Sequence, residues 1–249
     1  MGTPVLPASR WRIQSLPDLF SPKQLAEYLQ LSQRTVYRLL ERGDLPGVKV
    51  GGQWRFRKST VDEWLDLNMQ RLDADSLQAF ETDGAAEQEL PALVDLLAPE
   101  NARIAVPAGT RDEVVRAFVD AVRFPEAVSP ELVYERVLER ERLCTTAMTG
   151  GVALLHTPRS RPRVLRSHDL MAIGRVASPV EFGALDGSHT DLLIFLLARS
   201  ERTQLALLAT LTRLGQEPGF LSGLRAAASP EAVIALVRDT AGRLFVPSV

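Results

Sequence analysis

The chain has 249 residues, 45% of them apolar and 24% charged, a balance that fits a globular protein able to bury a sizeable core and excludes a low-complexity polymer. Its net charge of −2 is uneven: residues 1–70 carry ten Arg and Lys against seven Asp and Glu, and all three lysines. A basic head on an acidic remainder suits a head that meets phosphate. No apolar run approaches the roughly 18 residues of a membrane helix. The first 18 residues have no apolar signal core, and the single cysteine, Cys144, excludes an internal disulfide. A cytoplasmic location without membrane insertion is therefore expected.

Along the chain, residues 1–18 are punctuated by proline and read as a loose arm. Ser21-Pro22 with Gln24 marks a helix start, with Gln24 placed to close a capping box. Leu25, Ala26 and Leu29 give that helix an inner face. Ser32 caps a second helix over 33–42, with Val36, Leu39 and Leu40 inward and Gly43 ending it. Gln33, Arg34, Thr35, Tyr37 and Arg38 are left on its N-terminal half. The segment VKVGGQWRFR (48–57) alternates apolar and polar residues around Gly51-Gly52, a two-residue hairpin signal. Lys49, Arg55 and Arg57 project from it. Ser59 is placed to cap a closing helix that carries Trp64 and Leu65 into the core. Two helices with a tight turn set the second into a major groove, and a basic hairpin beside it holds phosphates.

TVYRLLERGDLPGVKVGGQWRFRKSTVDEWL resembles the winged-helix module of the MerR and excisionase type of helix-turn-helix domain, over about residues 18–67. The resemblance implies double-stranded DNA as a partner. It places Arg34, Thr35, Tyr37 and Arg38 in the groove and Lys49 and Arg55 on the wing. Binding as a homodimer to two half-sites is expected with it.

Residues 71–89 carry six acids and one arginine and read either as a solvated linker or as a connecting helix. Beyond residue 90 the pattern alternates. LPALVDLLA (90–98) reads as helix and RIAVPA (103–108) as a short strand. Thr110 and Glu113 form a capping box ahead of a helix with Val114, Val115, Phe118, Val119 and Val122 on one face. Ser129-Pro130 opens another helix. GVALL (151–155), LMAIGRV (170–176) and TDLLIFLLA (190–198) read as buried strands. An apolar-striped helix over 201–215 and a last one opened by Ser229-Pro230 complete an α/β domain with both sheet faces covered. Three segments result: a head over 1–70, a connector over 71–89 and a body over 90–249.

The body has three histidines. His156 follows GVALL, so it is expected to emerge, exposed, at a strand's C-terminal end, where open α/β sheets gather ligands. An exposed imidazole is a competent nucleophile toward a phosphoryl group, and the nearby Arg159 supplies a cation for its oxygens. His168 and His189 read as surface polar residues and Cys144 as a buried apolar one. Asp186 and Asp191 flank His189, but without metal-ligand spacing, so neither metal nor cofactor is expected. No P-loop or GxSxG motif supports a nucleotide hydrolase or a serine esterase.

The stretch RERLCTTAMTGGVALLH (140–156) resembles the IIA domain of the fructose, mannitol and nitrogen-regulatory branch of the bacterial phosphotransferase system. Arg140, Glu141, Thr145, Thr146, Gly151, Val152, Ala153 and His156 stand at the motif's positions, and the resemblance runs over about residues 90–245. It implies a mixed-sheet α/β sandwich and makes His156 the acceptor of phosphate from an HPr-like phosphocarrier, with Arg140 and Thr146 beside it. Leu155 replaces the family's proline, and Ala147 and Thr149 replace two glycines. Gln204 stands where the family has a second active-site histidine. Glutamine can hydrogen-bond a phosphoryl oxygen but carries neither proton nor charge. The expected role is a DNA-binding transcriptional regulator whose body senses phosphotransferase state or a partner, at most a phosphohistidine carrier rather than an enzyme. A working phosphocarrier passing phosphate on from His156, and a degenerate protein-binding scaffold, are the alternatives.

Overall fold

The computed structural model describes residues 19–29, 31–58, 60–61, 64–65, 77–78, 92–158, 162–184 and 186–244. In the head, strand β1 (Leu19–Phe20) leads into helices α1 (Pro22–Leu29) and α2 (Gln33–Glu41), followed by strands β2 (Val48–Val50) and β3 (Gln53–Arg57). The expected capping box forms: the Ser21 amide donates to Gln24 Oε1 at 2.9 Å and the Gln24 amide to Ser21 Oγ at 3.3 Å. Ser32 caps α2 by accepting from the Thr35 amide at 3.1 Å. Gly43, at φ 77°, ends α2: its amide reaches Leu40 O and the Asp44 amide reaches Leu39 O. That pair of bonds makes a Schellman motif, which satisfies the helix's last carbonyls.

The hairpin turns at Gly51 and Gly52, both with positive φ, as the twist of a two-residue turn requires. β3 lies between β1 and β2 in an antiparallel sheet, pairing Phe56 with Phe20 and Arg55 with Val48. Val61, Trp64 and Leu65 are helical and Leu65 is buried. The expected Ser59 cap lies outside the described residues.

The body is built on a five-stranded mixed sheet in the order β4-β7-β8-β6-β5. Its strands are β4 (Ile104–Val106), β5 (Ala147–Met148), β6 (Val152–His156), β7 (Leu170–Val180) and β8 (Thr190–Leu197). β4 runs parallel to β7 and β6 parallel to β8, while the β7–β8 and β5–β6 pairs are antiparallel. Alternation along each strand sorts side chains to two faces. Ala153, Leu155, Leu193, Phe195 and Leu197 pack under α3 (Arg111–Ala121) and α4 (Pro130–Leu143), against Val115, Phe118 and Val137. Val152, Leu154, Leu192, Ile194 and Leu196 pack on the other face. That face is covered by α5 (Glu201–Gln216), α6 (Phe220–Ala226) and α7 (Pro230–Leu244). The body is thus an α/β sandwich with a mixed sheet.

Gly174 lies where Phe118 approaches the sheet: a Cβ there would meet the phenyl ring at 2.6 Å. On the surface α3 and α4 are joined by the exposed Arg116–Glu131 pair at 2.7 Å, which solvent screens. A stronger tie holds α6 to the turn before β6. Arg225 donates to both oxygens of Asp191 and, at 2.6 Å, to Gly150 O.

Two expectations change. The 90–98 segment is not an α-helix; its described part is a 3-10 turn over Leu93–Leu96, with residues 90 and 91 outside the described set. Four residues suffice to bury Leu93 and Leu96 under α7, and Pro99 stands three residues after the turn's last residue. Cys144 is half-exposed rather than buried, because it caps the C-terminus of α4 and its thiol donates to Thr145 O at the edge. Of 71–89 only Leu77 and Gln78 are described; both are helical, and Leu77 is fully buried in the head's core. Among the described residues no helix is long and apolar enough to cross a membrane.

Candidate functional site

β6 delivers His156 to the C-terminal end of the parallel β6–β8 pair, opposite Leu196. α5 begins just beyond β8, with Ser200 accepting from the Thr203 amide at 2.9 Å. His156 therefore stands where the strand argument placed it. It is not exposed, however: only 6% of its surface is accessible, because the ends of α4 and α5 close over the strand end.

The hydrogen bonds around the imidazole assign its tautomer. Nδ1 lies 2.8 Å from Leu154 O, and a carbonyl only accepts, so Nδ1 carries the proton. Nε2 then offers a lone pair, and the Nε–H of Arg140 donates to it at 3.1 Å. Arg140 is 2% exposed and also donates from Nη1 to Cys144 O at 2.8 Å. Its neighbour Glu141 turns the other way. Both Glu141 oxygens accept from the Thr146 amide at 3.1 Å, and one takes the Thr146 hydroxyl at 2.6 Å. The Arg-Glu pair thus does two jobs: Arg140 meets the imidazole and Glu141 locks the loop into β5. Thr146 is consequently a structural partner of Glu141, 3% exposed.

Gln204, in the first turn of α5, is 4% exposed and donates from Nε2 to Thr157 O at 3.1 Å. It is brought to the site through the backbone that follows His156. Thr157 itself is fully buried and its hydroxyl makes no hydrogen bond among the described residues, a feature that the motif reading passed over. The expected Arg159 contact lies outside the described residues. A neutral imidazole with its lone pair on a buried guanidinium is a nucleophile held in check. If Nε2 bonds an electrophilic phosphorus, the same guanidinium becomes a donor to the oxygens.

The second candidate surface lies on the head. Gln33, Arg34 and Tyr37 are exposed on α2, Tyr37 at 44%. Arg38 is half-buried and its Nε is buried without a hydrogen-bond partner among the described residues. Thr35 is 8% exposed and its hydroxyl pairs with Ser32 Oγ at 3.0 Å, so it faces the cap. On the hairpin Lys49 is exposed with its Nζ 5.1 Å from the Trp54 ring centre, and Arg57 is exposed. Arg55 is half-buried and donates to Trp54 O and Gln53 Oε1. Lys58, which no motif singled out, donates to Tyr28 Oη and lies over its ring, stapling the hairpin's end to α1.

Comparisons with known proteins divide the chain in the same way. Residues 19–67 match the model of the helix-turn-helix domain, and residues 95–240 match that of the phosphoenolpyruvate-dependent sugar phosphotransferase system, EIIA 2. The chain is similar to a nitrogen regulatory protein of Pseudomonas aeruginosa, 28% identical over 151 residues that cover 59% of this chain and 95% of that one. Over 55 residues, 22% of this chain, it is 33% identical to a Mycobacterium tuberculosis protein provisionally named as DNA-binding, of which it covers 70%. In structure it resembles nitrogen regulatory protein IIA-Ntr from Neisseria meningitidis, with a TM-score of 0.50 and 22% identity, covering 59% of this chain and 99% of that one. The model match spans more than half of the residues, and the chain belongs to the EIIA type 2 family of the phosphoenolpyruvate-dependent sugar phosphotransferase system.

Proposed function

We propose that this chain is a cytoplasmic, DNA-binding transcriptional regulator whose EIIA body accepts a phosphoryl group on His156. The observation that carries the reading is the imidazole itself: Nδ1 is protonated toward Leu154 O, and Nε2 turns its lone pair to the Arg140 guanidinium. A phosphorylated HPr-like donor would transfer to Nε2, its own P–N bond breaking as the new one forms. Arg140 would then swing from the ring nitrogen to a phosphoryl oxygen. The modification adds roughly two negative charges to a buried site, enough to reset an interface.

On the DNA side, Gln33, Arg34, Tyr37 and Arg38 read the major groove while Lys49, Arg55 and Arg57 hold phosphates as a wing. Two copies bind together on paired half-sites. Gln204 favours acceptance without onward delivery, since an amide cannot relay a proton, so the reading as a working phosphocarrier is the weaker one. The near-complete burial of His156 favours instead, as a second reading, a scaffold that binds protein and takes no phosphate.

One experiment separates these readings. The protein is incubated with enzyme I, HPr and labelled phosphoenolpyruvate, beside His156→Ala. Acid-labile label on the parent and none on the variant is expected; an unlabelled parent leaves the scaffold. Selection of binding sites from random duplex DNA, with Arg34→Ala as control, tests the head.

A further inference from the structure

Helix α5 is buried all round from Gln204 to Leu214. A helix that packs on one layer needs only one apolar stripe, so burial on every side means a second layer lies on α5. Its inner face, Leu207, Leu208, Leu211 and Leu214, belongs to the body's core. Leu205 and Ala209, four residues apart and so on one face, belong to a different cluster. They join Leu25, Val36, Leu39 and Phe56 of the head, with the connector's Leu77. Leu205 is 5% exposed and Ala209 0%. The head's core is thus completed by a helix of the body, while Gln33, Arg34 and Tyr37 stay open to solvent.

The residue before Leu205 is Gln204, whose amide holds Thr157 O next to His156. Consecutive residues of one hydrogen-bonded helix do not move independently. His156, Thr157, Arg140 and Gln204 are each at most 6% exposed, so an incoming group must displace part of this wall. Arg140 and β6 are held by the packed sheet, whereas the start of α5 is the part whose outer neighbour is the head.

We propose that α5 couples the head to the histidine: seating of the head on Leu205 and Ala209 keeps Gln204 on Thr157 and the His156 site closed, and opening of either end loosens the other. Coupling of this kind is reciprocal. A group attached at His156 frees the head from its seat, and release of the head makes His156 reactive. The inference rests on His156 being the reactive group, and it is independent of which donor serves it.

The test uses the full chain, with Leu205→Glu and the milder Leu205→Ala. Diethyl pyrocarbonate is the probe of imidazole access, read by mass spectrometry on the His156 peptide against His168 and His189 as internal references. Hydrogen exchange of α1 and α2 amides reports head seating, and that of β7 and β8 reports the integrity of the sheet. Both variants are expected to loosen the head, leave the sheet protected and speed His156 labelling by about fivefold or more, with the larger effect for glutamate. Gln204→Ala is expected to loosen the head amides in turn. A loosened head with unchanged His156 labelling overturns the proposal. So does a head that stays protected in both variants, or faster labelling that appears only with loss of sheet protection. A protein that takes no phosphate from HPr but shows the labelling difference would refute the phosphoacceptor reading and leave the coupling intact.

Discussion

Arginine occupies opposite settings in the head and in the body, and the contrast separates two kinds of work. In the head Arg34 and Arg57 stand in solvent on a small frame of helices around a three-stranded sheet. A cation placed this way meets a phosphate backbone by long-range attraction and tolerates many geometries. In the body Arg140 is 2% exposed and its donors are directed to His156 Nε2 and Cys144 O. A buried cation is costly unless its hydrogen bonds are met, so its geometry is narrow. Under the proposed function the head would contact a long, repetitive partner and the body would handle one group at one atom. The cores differ as well: the body fills both faces of its own sheet, while the head draws Leu205 and Ala209 from the body.

The strongest challenge to this picture is Phe118→Ala. Phe118 is fully buried between α3 and the sheet, and its loss should cost about 3–5 kcal/mol in chemical unfolding. Because the head's core includes α5 residues, head and body should unfold together; two separate transitions would show that the head stands alone. Gly174→Ala should cost about 1–3 kcal/mol, since the new methyl meets the Phe118 ring at 2.6 Å. The penalty should shrink in a Phe118→Leu background, and an equal cost in both backgrounds would place the strain elsewhere.

On the head, Arg38→Ala should weaken duplex binding by about 1–3 kcal/mol at fixed salt if Arg38 reads a base edge. Arg57→Ala should instead lower the salt slope by about one unit. Unchanged affinity after Arg38→Ala would remove that residue from the interface. The smallest effect concerns Glu113. The Thr110 amide first, and the Thr110 hydroxyl second, hold its carboxyl below the ordinary range. A depressed carboxylate adds stability at neutral pH and loses it as pH falls through its folded value. The parent and Glu113→Gln should therefore converge in acid, and a constant gap down to low pH would contradict the capping role.

Much was legible locally. The Ser21–Gln24 and Thr110–Glu113 boxes, the Gly51-Gly52 turn and the helix starts at Ser32, Ser129 and Ser229 depend on residues within three positions, and each forms where its pattern lies. The buried strands were legible from apolar runs, though a run without alternation does not show that Leu154 and Leu155 serve different faces. The Arg140–His156 contact spans 16 positions and the Gln204–Thr157 contact spans 47, and no local pattern reports either. Thr35 is a different case: the motif puts it in the groove, but its hydroxyl pairs with Ser32 Oγ only three positions away.

The amino-acid sequence by itself determined the two-part organisation, most of the helices, the long buried strands and the strand end at which His156 stands, because periodicity, caps and turns act over a few residues. Only the tertiary structure decided that the imidazole is closed in, that its Nε2 faces Arg140, and that α5 serves two cores at once. Those outcomes depend on which helix ends meet a strand end and on which face of a helix a distant segment covers. They are properties of packing between elements far apart in the chain, set by burial of apolar area rather than by any local preference.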